Sequence, residues 1–119
     1  MKRLIFLCLL LLTACVGQTD NPAAMVERYL QAKVSGDEAT MRTLICADMV
    51  DDLSIEVASF ATVEAEIQDM ACAQDAGSNT VTCSGVIAIT YGTEVREFPL
   101  GTYRVVEEDG EWHWCGEAG

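Results

Sequence analysis

Basic side chains are scarce in this chain of 119 residues: 7 Lys and Arg stand against 19 Asp and Glu, for a formal net charge of −12. A deficit of that size excludes nucleic-acid binding through a basic patch. It also disfavours contact between the protein surface and anionic lipid headgroups. Histidine is nearly absent, with one in the chain, and no two cysteines have Cys-x-x-Cys spacing. A structural zinc site therefore lacks its ordinary ligand set. There is no Ser-His-Asp pattern, no Gly-rich phosphate loop and no His-x-x-x-His pair. Neither a metal nor a cofactor is expected. A continuous apolar run of about 20 residues, the length that spans a bilayer, is also missing.

What is present begins at the amino terminus. Met1-Lys2-Arg3 is a short basic start, and Leu4 to Leu12 is apolar, interrupted by Cys8. A basic start, a short apolar stretch and a small-residue exit is the layout of an export signal. The exit, Leu12-Thr13-Ala14-Cys15, resembles the bacterial lipobox: a branched residue, two small ones and a Cys. The resemblance implies cleavage after residue 14 and a diacylglyceryl thioether, with further acylation such as palmitate, on Cys15. Residues 1–14 are thus read as a lipoprotein signal peptide, 15–21 as a lipidated tether, and 22–116 as the folded domain. More than one acyl chain holds a protein to a membrane durably, so the expected partner of Cys15 is the membrane itself. Val16 would permit outer-membrane sorting where an Asp retains lipoproteins in the inner membrane. The expected location is the cell envelope, at the outer membrane or the outer face of the plasma membrane. Lys2 and Arg3 leave with the signal, so the mature chain is more acidic still.

Four cysteines remain: Cys46, Cys72, Cys83 and Cys115. An even number in an exported domain reads as two disulfides, with three connectivities open. Secondary structure narrows these. Asn21-Pro22 starts a helix, with Val26, Tyr29, Leu30 and Val34 on one face and Glu27, Arg28, Gln31 and Ser35 on the other; Gly36 ends it. Asp37 opens a second helix with Met41, Leu44 and Ile45 as its apolar stripe. A third helical pattern runs through Met49, Val50, Leu53, Val57 and Phe60, with Asp51, Asp52, Glu56 and Ser59 on the wet side. From Val63 the period becomes two. Ile67, Asp69 and Ala71 alternate with Gln68, Met70 and Cys72. After the turn Asp75–Asn79, Val81, Cys83, Ile87, Ile89 and Tyr91 share a face. A third strand over Val95–Val106 is broken near Pro99 and Gly101, and Asp109-Gly110 turns into the last strand, Trp112–Cys115.

Cys72 and Cys83 are equidistant from the Gly77-Ser78 turn, which predicts a cross-hairpin bridge. Cys46–Cys115 follows, pinning the second helix to the last strand at about 4 kcal/mol by the chain-entropy estimate. The class is α+β: two to three N-terminal helices packed on a curved four-stranded antiparallel meander.

The Ser35-Gly36-Asp37 helix junction and the closing run Tyr103–Gly116, with its Asp-Gly-x-Trp hairpin, resemble small cystatin-like roll domains of the nuclear-transport-factor-two-like superfamily, particularly its bacterial lipoprotein members. The resemblance implies a curved sheet around a helix, enclosing a cone. Enzymatic members hold a carboxylate base and a Tyr or His donor inside it. The candidates here are Asp69 with Tyr29, Tyr91, Tyr103 or His113, and the implied activity is isomerase or dehydratase chemistry. Many other members bind ligands or partners. The leading expectation is a non-enzymatic envelope module that binds a small apolar ligand or another envelope protein; a purely structural envelope domain is the third class. Replacing Cys15 with Ala should shift the protein from the detergent phase to the aqueous phase in a Triton X-114 partition. Retention in the detergent phase would refute lipidation at Cys15.

Overall fold

A computed structural model describes residues 21–118. The expected signal peptide over residues 1–14, with Cys8, and the positions Cys15 and Val16 lie outside the described residues. Three α-helices and a short 3-10 segment precede a five-stranded antiparallel sheet, so the class is α+β. Among the described residues no helix is long and apolar enough to cross a membrane.

Helix α1 spans Pro22–Ser35. The Asn21 side chain accepts from the Ala23 and Ala24 N–H groups, at 2.8 and 3.3 Å, satisfying donors that a helix start leaves free. Gly36, left-handed at φ 72°, ends the helix. Helix α2, Glu38–Leu44, begins on the Asp37 carboxylate, which accepts from the backbone and hydroxyl of Thr40. Those bonds hold the Asp37 carboxyl below its usual range. The single helix expected over residues 49–60 is not formed. A 3-10 segment, Ala47–Asp52, leads into a short α3, Leu53–Ala58. Asp51 and Asp52 explain the break: mid-helix they would meet no compensating charge, but at the start of α3 they face its positive dipole end.

The strands are β1 Glu64–Gln74, β2 Thr80–Tyr91, β3 Glu94–Pro99, β4 Thr102–Glu108 and β5 Glu111–Glu117. The expected third strand is two strands, so the sheet has five and not four. Both lie beside β2: β3 pairs with Val86–Tyr91 and β4 with Thr80–Thr82. Pro99 cannot donate to a ladder. Leu100 N–H reaches Gly85 O and Gly101 O accepts from Cys83 N–H, so the chain stays against β2 while its register slips. The helices cover one face of the sheet. Between them Met25, Val26, Tyr29, Met41, Val81, Val105 and Trp114 are almost wholly buried.

One feature of β1 overturns an expected side-chain direction. Asp69 and Met70 together oppose Gly85, a β-bulge with Asp69 left-handed at φ 58°. The extra residue reverses the alternation: Ile67 packs inward before the bulge, and Met70 and Cys72 do so after it. Asp69 does not lie on the inner face with Ile67; it is exposed. Gly85 permits the close approach. A Cβ there, at φ 108°, would stand 2.7 Å from Asp69 O and 2.8 Å from Gln68 O.

Cys72 is bonded to Cys83 and Cys46 to Cys115. Cys72 and Cys83 are direct cross-strand partners. Gly85→Ala should destabilise the domain by about 2–4 kcal/mol, the cost of a left-handed β-carbon plus displaced backbone. Gly77→Ala, whose Cβ would meet nothing within 4 Å, should cost only about 1 kcal/mol. Urea unfolding midpoints compare the two; equal losses would show that the close approach at Gly85 carries no energy.

Candidate functional site

The sheet interior is where the roll resemblance places chemistry, and it is built from α1, α3 and β5. Tyr29 on α1 stacks on Trp114 of β5, with ring centroids 4.0 Å apart and planes 12° from parallel. The Tyr29 hydroxyl donates to Glu56 Oε1 at 2.9 Å. Lys33, one turn along α1, places its ammonium 2.9 Å from the same oxygen and 5.8 Å from the Trp114 ring centre. Glu56 was expected on the wet side of its helix. It turns inward instead, because a phenol and an ammonium offer it hydrogen bonds that offset lost hydration. No local signal marked it, since its partners are 27 residues away in the case of Tyr29. Trp114 Nε1 is buried without a hydrogen-bond partner among the described residues.

The remaining candidates are dispersed. Tyr103, 6% exposed, accepts the Gly101 N–H on its hydroxyl at 3.1 Å. Burial raises its pKa, with a smaller push from the charge of Glu117; the Gly101 bond works in the opposite direction. Tyr91 is exposed near the Arg96 guanidinium. His113 Nδ1 lies 3.1 Å from Glu111 O and 3.7 Å from Glu108 Oε1. Trp112 and Trp114 both pack against the core. Asp69, the proposed base, is in water, while the Tyr29 and Tyr103 hydroxyls are engaged inside the fold. A pocket base and its donor therefore do not come together. Among the described residues no group of three His, Cys, Asp or Glu side chains is placed to hold a metal ion.

Open space lies on the outside. A groove of about 620 Å³ runs beside α1 toward the start of α2 and Met70 of β1, lined in part by Glu27, Arg28, Gln31 and Thr40. Glu27, expected to be solvated, bridges helix and sheet: its carboxylate accepts the Cys72 N–H at 3.1 Å. The far end of the sheet, where β2 meets β3, carries Tyr91, Val95 and Phe98, each more than 40% exposed.

No family model matches the chain, and no curated protein does so. Among solved structures, the solution structure of a SEC-C motif containing protein from Rhodopseudomonas palustris is similar, with a TM-score of 0.56 at 16% identity. The match covers 83% of this chain and 79% of that one. At that identity the likeness shows a shared fold.

The Tyr29 hydroxyl is the most strongly shifted group here. Burial raises its pKa far above the ordinary value of 10.0, and the hydrogen bond to Glu56 and that carboxylate's charge add to the shift. A raised folded-state pKa gives stability that is complete below pH 10 and declines as pH climbs above it. Tyr29→Phe should therefore cost about 1–2 kcal/mol at pH 7 and flatten the alkaline limb, with Tyr103 sustaining the remainder. Urea midpoints from pH 7 to 11 measure both effects, and an unchanged limb would remove Tyr29 from the account.

Proposed function

We propose that the protein is an exported lipoprotein, anchored through Cys15, whose domain presents its outer surface to another envelope protein and catalyses no reaction. One observation carries this reading: the space between helices and sheet is occupied by Met25, Met41, Tyr29 and Trp114, where a ligand-binding or catalytic roll needs an open cone. A small apolar ligand then has no interior seat, and the isomerase reading loses its base, because Asp69 faces water. Two disulfides suit an oxidising compartment, in keeping with export. A tether over residues 16–21 reaches roughly 20 Å when extended, so the partner would be met close to the membrane. The acid excess favours a partner with basic surface.

The reading is tested on the full-length lipoprotein in its own cells with an impermeant amine- and carboxyl-reactive crosslinker. A discrete adduct that forms with the wild type and weakens with Cys15→Ala is expected. A stoichiometric small molecule retained through native mass spectrometry, with no protein adduct, would overturn it.

A further inference from the structure

The exposed apolar residues at the far end of the sheet border an open strand edge. β3 pairs with β2 alone, and all six of its residues are exposed. Its backbone parity follows from the turn. Gly92-Thr93 is a two-residue connection with Gly92 at φ 63°, so Tyr91 and Glu94 form the closing hydrogen-bonded pair. Arg96 and Phe98 then turn their N–H and C=O groups toward β2, and the bond from Leu100 N–H to Gly85 O continues the same parity. Val95 and Glu97 turn theirs outward. Pro99 falls on the outward parity as well, where a missing N–H breaks no ladder bond. β5 pairs with β4 and reaches only its start, where Ala118 N–H bonds to Thr102 O. A vacant lane therefore lies beside β3 among the described residues.

The side chains along this lane state what fits it. The two sheet faces differ. Phe98 lies across from Ile87, on the face where Ile67 and Ile87 pack toward the core. On the other face Glu97 and Glu66 flank Ala88, and Val95 and Glu64 flank Thr90. The cation on β3, Arg96, is already 3.1 Å from Glu94. A second copy of this chain, paired antiparallel through Val95 and Glu97, would set Arg96 directly across from its own duplicate, and like charges across strands are destabilising. We infer that β3 is a docking edge for an extended segment of an envelope protein that alternates basic and apolar residues, added to the sheet as a further strand. Its apolar side chains would lie beside Phe98 and its basic ones beside Glu97, with backbone bonds to Val95 and Glu97 supplying affinity. The inference rests on the partner-binding reading above and adds the site and the chemistry of the partner.

The test uses the full-length lipoprotein in detergent micelles and a synthetic Lys-Val-Lys-Val-Lys-Val peptide. Binding should slow hydrogen exchange at the Val95 and Glu97 amides. Glu97→Lys should weaken it about tenfold, and Val95→Pro, which removes an outward donor, should abolish it with the thermal midpoint kept. A Glu-Val-Glu-Val-Glu-Val peptide should not bind. Equal binding of the two peptides, protection away from β3, or reversible dimers that Val95→Pro dissolves would each overturn the proposal. In cells, photocrosslinkers at Val95 and at Gln31 separate the two readings. Adducts from Val95 to a basic, alternating segment, identified by mass spectrometry, support the docking edge. Adducts from Gln31 alone sink the edge and leave the partner reading standing; none from either position, and none with the general crosslinker, sinks both.

Discussion

The stack of Tyr29 on Trp114 is the contact through which helices and sheet become one body. Its two rings are the largest fully buried side chains of the fold, and they come from opposite ends of the chain. Around it the other connections gather. Trp114 O accepts the Cys46 N–H, Ile45 forms an isolated bridge with Trp114, and the next residue, Cys115, is bonded to Cys46. The Tyr29 hydroxyl reaches α3 through Glu56, which also takes Lys33. One aromatic pair thus links α1, α2, α3 and β5. This arrangement also supports the proposed partner-binding role, since a ring pair that closes the domain occupies interior volume that an enclosed ligand would need.

A second constraint, the bulge at Asp69 and Met70, is smaller in extent but redirects a whole strand. The 11-residue β1 must carry Ile67 inward beside Ile87 and Cys72 inward against Cys83. Those positions are an odd number of residues apart, so an unbroken strand would send one of them to water. The bulge resolves the conflict by placing Asp69 outside, and Gly85 leaves room for the folded-out backbone. The bulge is therefore a condition for the hairpin disulfide to lie on the core side.

Much of the fold was legible along the chain. Asn21-Pro22, Gly36-Asp37 and Asp109-Gly110 mark helix starts and turns by local backbone preference, and local preference operates without tertiary context. The break at Pro99 was visible for the same reason, although its result, two strands sharing β2, was not. The site was far less legible. Glu27 and Glu56 read as solvated residues on polar helix faces, yet one accepts a strand N–H and the other a buried phenol. Their roles depend on partners remote in sequence, and hydrophobic periodicity carries no information about hydrogen bonds between elements. Asp69 was misplaced because a bulge at a non-glycine residue leaves no mark in a period-two pattern.

The sequence by itself determined the α+β class, the acidic charge, the helix caps and the hairpin turns, because each is set by composition or by a few adjacent residues. It also contains the lipobox-like run that motivates the anchoring proposal. Only the tertiary structure decided which face Asp69 takes, that Glu56 turns inward, and that the space beneath the sheet is filled. Those outcomes depend on how side-chain volumes from distant segments add up in one place, and no stretch of sequence contains that sum. The lane beside β3 belongs to the same class: among the described residues no other strand pairs with that edge, and only the assembled sheet could show it.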